Sequence, residues 1–199
     1  MNAGDTVARK TGAEMRSLTV RPTGVERTFD EGRLIVTKTD RKGVIQYANA
    51  LFLELSAYPE EQVIGQPHNV IRHPDMPRVI FKLMWDRLLT GQEIFAYVVN
   101  LAGDGAHYWV LAHVTPSVDG QGQVIGFHSN RRSPDRSAVA AAADLYARLR
   151  AEEQRHTRPA DAVEASGRLF DALLAERGQN YDEFVWSLTA GTTTVGADR

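Results

Sequence analysis

The chain has 199 residues, 43% hydrophobic and 24% charged, the mix of an ordinary globular protein; at about 100–200 residues per domain the length suits one domain with extensions. A net charge of −2 and a pI near 6.3 give no electrostatic case for gripping nucleic acid, and the absence of cysteine excludes disulfides, thiolate metal sites, cysteine nucleophiles and cysteinyl–flavin photochemistry. No stretch approaches the ~18 apolar residues of a membrane span and the N-terminus lacks a signal-peptide core, so no span and a cytoplasmic location are expected.

Residues 1–30 mix Gly, Thr, Arg and Glu without periodicity and read as a flexible arm, with a short helix near Glu14–Leu18. Order begins with two β-rich runs, Leu34–Thr37 and Val44–Tyr47, around the turn Asp40-Arg41-Lys42-Gly43. Asn49 stands at a helix N-cap ahead of Leu51, Phe52 and Leu55. Tyr58–Pro74, broken by Gly and Pro, holds only short helical turns. Asp75 is then expected to cap a longer helix with Pro77 in its first turn and Gly91 at its end. That helix carries two apolar stripes, Ile80/Met84/Leu88 and Phe81/Trp85/Leu89, which predicts a position between a sheet and another layer.

Three strands follow, Ile94–Leu101, His107–Pro116 and Gln123–Asn130, separated by Gly103-Asp104-Gly105 and Asp119–Gly122. The order predicts an α+β fold, a five-stranded antiparallel sheet with short helices on one face, over residues 31–132. Residues 133–189 form a helical extension, and 190–199 a disordered tail. Ser133-Pro134 is expected to open the first extension helix, Pro159 the second, and Asn180 with Glu183 the third. Val139, Ala142, Tyr146 and Leu149 have coiled-coil spacing. They serve either a homodimer or packing back on the sheet.

Gly65-Gln66-Pro67-His68-Asn69, Arg72-His73-Pro74-Asp75-Met76-Pro77, Met84-Trp85, Asn100 and His107-Tyr108-Trp109-Val110, in that order, closely resemble the PAS domain of the bacterial aerotaxis-receptor family. The resemblance covers about residues 34–132, roughly half of the chain. It implies a PAS fold, non-covalent FAD, and signalling of redox or oxygen status to a chemotaxis-type receptor or kinase. By the family pattern Asn49, Arg72, His73, Asp75 and Asn100 are matched to flavin binding. Arg72 offers a fork of donors, His73 a titratable ring, the two asparagines paired donors and acceptors, and Trp85 a stacking wall. Asn100 shares strand parity with Ile94, Ala96 and Val98. Phe95 stands where the family has tryptophan, and Asn100–Gly103 replaces a basic stretch. The family usually continues into a membrane anchor and a methyl-accepting rod, and neither is read here.

Each residue also has a plainer role: Asp75 and Asn49 as helix caps, Arg72 in a surface ion pair, His73 and His107 as core or surface histidines, and Trp85 and Trp109 in the core. No histidines pair at i, i+4 on one helix and no nucleophile–base set stands out, so neither a metal site nor an enzyme is expected. Two alternatives stay open on the same fold. One is a ligand-free adaptor for protein interaction or dimerisation. The other is a haem-based gas sensor with His68 or His73 as axial ligand.

Overall fold

The β-rich runs and Gly-containing turns build a sheet whose elements follow the predicted order. The computed structural model describes residues 20–190; the expected Glu14–Leu18 helix and most of the tail lie outside them. β1 (Ile35–Asp40) and β2 (Ile45–Ala48) form a hairpin, followed by α1 (Ala50–Ser56), α2 (Glu60–Val63), a 3₁₀ turn (His68–Ile71) and α3 (Arg78–Leu89). β3 (Ile94–Leu101), β4 (His107–Val118) and β5 (Val124–Arg132) meander back, and α4 (Arg136–Glu153), α5 (Pro159–Glu176) and α6 (Tyr181–Ala190) complete the chain. The sheet order is β2-β1-β5-β4-β3, every pair antiparallel.

Two aspartates shape the tight turns. Asp40 Oδ1 accepts the N–H groups of Lys42 and Val44 at 2.8 and 2.9 Å, and Asp119 Oδ1 those of Gln121 and Gln123, both at 2.9 Å. Along β4, Tyr108, Val110, Ala112 and Val114 are buried while Trp109, Leu111, His113 and Thr115 are only partly covered, the period of two that gives a sheet an inner face.

α3 corrects one expectation. Asp75 does not cap it: the helix starts at Arg78, with Pro77 extended at the N-cap position (φ −61°, ψ 139°) and contributing no side-chain bond. A residue before proline is pushed out of the helical region, so Met76 cannot belong to the helix. The missing cap comes from α4 instead: Glu153 Oε1 accepts the Val79 N–H at 3.2 Å and the Ser166 hydroxyl at 3.3 Å, while Oε2 takes a bond from Arg150 at 3.1 Å. At the other end Gly91 is left-handed (φ +84°), and Gln92 N–H reaches the Arg87 carbonyl, as predicted for the stop.

The extension packs on the domain. α5 meets α3 where Gly167 faces Val79, supplying the second layer that α3's apolar stripes required. The first extension helix begins at Arg136 rather than at Pro134, with Asp135 at its N-cap position, because the Ser133–Asp135 stretch stays extended. Pro159 does open α5. Asn180 and Glu183 cap α6 reciprocally at 2.7 and 3.0 Å. Val139, Ala142, Tyr146 and Leu149 are buried within the chain, so the seam packs inward. Tyr146 donates its hydroxyl to the Tyr97 carbonyl at 2.6 Å and Tyr181 to that of Phe95 at 2.8 Å, occupying the outer edge of β3.

The arm is also corrected in part. From Thr23 its backbone is bonded to the β3–β4 turn and β4: Thr23 N–H to the Gly105 carbonyl at 2.8 Å, and Val25 and Arg27 to either side of His107 at 2.8 and 2.7 Å. Residues 25–27 thereby take the place along β4 that β5 leaves after Arg132. A bidentate Arg136–Glu26 pair ties this segment to α4.

Glu153→Ala leaves the buried Val79 N–H without an acceptor and takes the partner from Arg150, while Ser166 keeps the Val163 carbonyl, and the expected loss is about 2–3 kcal/mol of stability, read from urea midpoints. Glu153→Gln, which still accepts, should lose less.

Candidate functional site

A cavity of about 260 Å³ opens between the inner face of the sheet and α3, just below the ~300–1,000 Å³ usual for small-molecule sites. β3 contributes Val98 and Asn100, β4 Ala112 and Val114, β5 Phe127, Ser129 and Arg131, and β1 Thr37 and Thr39. α3 supplies Phe81, Met84, Trp85 and Leu88, while Lys42, Gly43 and the segment from Pro67 to Arg72 close the remaining side. Strand parity selects the sheet residues: alternate positions of β3 and β5 point the same way.

Of the six residues anticipated for ligand contact, the fold brings three to this cavity. Asn100 is buried with Nδ2 unpartnered among the described residues, and its backbone bridges to Arg72. Arg72 lies at the exposed mouth, its guanidinium 4.2 Å above the Phe81 ring. Trp85 packs edge-on against Phe127, ring centroids 5.5 Å apart, and lies over Gly43. A Cβ at Gly43 would come 3.0 Å from the indole, and its φ of +79° also favours glycine, so the hairpin turn and the tryptophan close together.

The other three stand elsewhere. Asn49 Oδ1 accepts the Phe52 and Val36 N–H groups, both at 3.1 Å, and its Nδ2 donates to the Leu34 carbonyl at 2.7 Å, so its amide ties α1 to β1. His73 is buried 5.7 Å from the His107 ring, and its Nδ1 accepts the Asp75 N–H at 3.1 Å. The Asp75 side chain is 81% exposed. Met76, next in the motif, is buried and its sulfur accepts the Val99 N–H at 3.4 Å. The hexapeptide Arg72–Pro77 therefore fastens its loop to β3, with only Arg72 reaching the cavity.

Arg131 is the residue that sequence reasoning missed. It is 6% exposed, and its Nη2 donates to Thr37 Oγ1 at 3.1 Å and to His68 Nε2 at 2.7 Å. Its Nη1 has no partner among the described residues, and neither does the neighbouring Ser129 hydroxyl. Burial lowers the guanidinium pKa to about 10, still cationic at neutral pH. Burial, reinforced by Arg131, lowers that of His68 to about 3, so the imidazole is neutral and accepts the guanidinium N–H. Ser129 and Arg131 share one signal: carrying the predicted last strand past Asn130 puts Arg131 in phase with Phe127 and Ser129. Among the described residues no group of acidic and histidine side chains could hold a metal, and no helix is long and apolar enough to cross a membrane.

His68 also predicts a pH dependence. Its folded pKa lies below the ordinary 6.5, so the unfolded chain binds the extra proton between these values and stability falls as pH drops from about 6.5 towards 3. His68→Gln keeps an acceptor without the titration. The expected outcome is a smaller fall in Tm between pH 7.5 and 5, each ~1 kcal/mol recovered being about 2–4 °C by calorimetry.

Residues 35–130 match the family described as the PAS fold. Over 117 residues the chain is 38% identical to the aerotaxis receptor of Escherichia coli (strain K12), a match covering 59% of this chain and 23% of the receptor. Over 95 residues it is 30% identical to the nitrogen fixation regulatory protein of Klebsiella pneumoniae, covering 48% and 19%. The chain thus spans less than a quarter of either relative's length. Among solved structures, the LOV domain of the blue-light photoreceptor Aureochrome1 superposes with a TM-score of 0.48 at 22% identity, covering 58% of this chain and 83% of that one. Element order, sheet order and the family match agree: residues 35–130 form a PAS domain.

Proposed function

We propose that this PAS domain binds FAD non-covalently in the cavity and signals redox or oxygen status to a partner protein. One observation carries the reading: Asn100 Nδ2, Ser129 Oγ and Arg131 Nη1 are buried and unpartnered among the described residues, and all three belong to side chains lining one apolar-walled cavity. A flat heterocycle with acceptor groups along an edge meets that need. The flavin ring would supply the electron chemistry; this chain would bind, orient and shield it. Asn100, Ser129 and Arg131 would hold the polar edge, Phe81, Met84, Trp85 and Leu88 would cover the apolar face, and Lys42 and Arg72 would offer positive charge to phosphates at the mouth.

α3 gives the state of such a ligand a route outward. The same helix that lines the cavity is capped by Glu153 of α4 and packed by α5, so a shift of this wall changes the footing of the extension. A partner reading the position of these helices would receive the signal.

The competing readings fare less well on the same residues. A ligand-free adaptor has to satisfy these buried polar groups with water alone, between walls that are mostly apolar. A haem sensor needs an axial nitrogen, but His68 Nε2 already faces a guanidinium at 2.7 Å and His73 lies outside the cavity.

The purified chain, incubated with FAD and desalted, should show flavin absorbance that bleaches on reduction. A colourless protein would reject the proposal. Asn100→Ala should weaken FAD about tenfold, as expected for ~1.4 kcal/mol from one buried hydrogen bond, measured by fluorescence titration.

A further inference from the structure

The deep end of the cavity carries a charge that the fold leaves uncompensated. A buried cation ordinarily stands against a carboxylate, because an isolated charge in an apolar setting is strongly disfavoured. The Arg131 guanidinium instead bonds two neutral acceptors, the Thr37 hydroxyl and the neutral imidazole of His68. None of the ion pairs among the described residues involves it, and one arm of its fork remains without a partner on the cavity side of the sheet. The other positive groups on the lining, Lys42 and Arg72, sit at the exposed mouth and are screened by water. Among the described residues only Arg131 brings an unscreened positive charge to the buried end.

We infer that Arg131 makes this cavity charge-selective, holding a flavin ring more tightly when reduction has made it anionic than when it is oxidised and neutral. The inference rests on the flavin reading. Two electrons and one proton, delivered by an external reductant, turn the neutral oxidised ring into a monoanion. Arg131 donates no proton in this step and keeps its bonds to Thr37 and His68. A site shifts an equilibrium only by its differential affinity for the two states, so the preference appears as a raised midpoint potential. Each tenfold of preference is about 30 mV for a two-electron couple.

The test is a reductive titration of the FAD-loaded full chain with dithionite against a reference dye, for the wild type, Arg131→Gln and Arg131→Lys. Arg131→Gln keeps a donor and loses the charge; it should lose at least tenfold of the preference, a fall of about 30 mV or more. Arg131→Lys keeps the charge and should remain within about threefold of the wild type, roughly 15 mV. Equal potentials in the wild type and Arg131→Gln, or equal falls in both variants, overturn the inference. If Arg131→Gln retains no FAD, Arg131→Lys decides alone: an unchanged potential supports the inference and a tenfold loss overturns it. A wild-type chain that takes up no FAD overturns the flavin reading itself, a result distinct from bound FAD whose potential ignores residue 131.

Discussion

A guanidinium buried beneath an antiparallel sheet, bonded among the described residues to uncharged groups, organises the interior of this domain. The Arg131 fork joins β5 to Thr37 on β1 and to His68 in the segment ahead of α3, so three stretches of chain converge on one cation. Such an arrangement is expensive in an apolar setting and survives because the rest of the core is well filled. Ile35, Phe52, Ile71, Tyr108 and Val110 are each almost wholly removed from solvent. The sheet supplies the rigidity, and the cation supplies the one strong demand that the cavity makes of whatever enters it.

The second constraint is that α3 serves two layers. Phe81, Met84 and Trp85 face the cavity, whereas the Val79 side chain and N–H face the C-terminal helices. A helix that borrows its cap from a carboxylate 74 positions further along the chain cannot be positioned independently of that partner. The extension is therefore part of the wall's support, and the conventional division into a sensor and a trailing helical segment understates their coupling.

Much of this was legible from local rules. Strand alternation placed Asn100 with Val98, Gly91 marked the end of α3, and Asn180 with Glu183 announced the start of α6; each follows from short-range stereochemistry. Contributions from afar were not legible. Asn49 reads as a cap and is one, but its remaining bonds to Val36 and Leu34 depend on how the hairpin docks. Asp75 has the chemistry of a cap without the position, because Pro77 delays the helix. Arg131 sits beside Arg132, Ser133 and Pro134, a run with the composition of a linker, and only the observed length of β5 moves it inside. The motif that carried the family resemblance proved more informative about the fold than about the cavity, since its middle residues hold a loop to β3.

The two flanks of the sheet are both shut. On one side hydroxyls from Tyr146 and Tyr181 occupy carbonyls of β3, and Met76 sulfur takes the Val99 N–H; on the other, Gly65 and Gln66 bond the backbone of Ile45 in β2. Exposed strand margins template runaway cross-β stacking between molecules, and proteins that retain them are prone to amyloid-like deposits. Here the helical extension doubles as a guard against that fate, so truncating it would bare the β3 margin to other molecules as well as removing the cap that α3 borrows from α4.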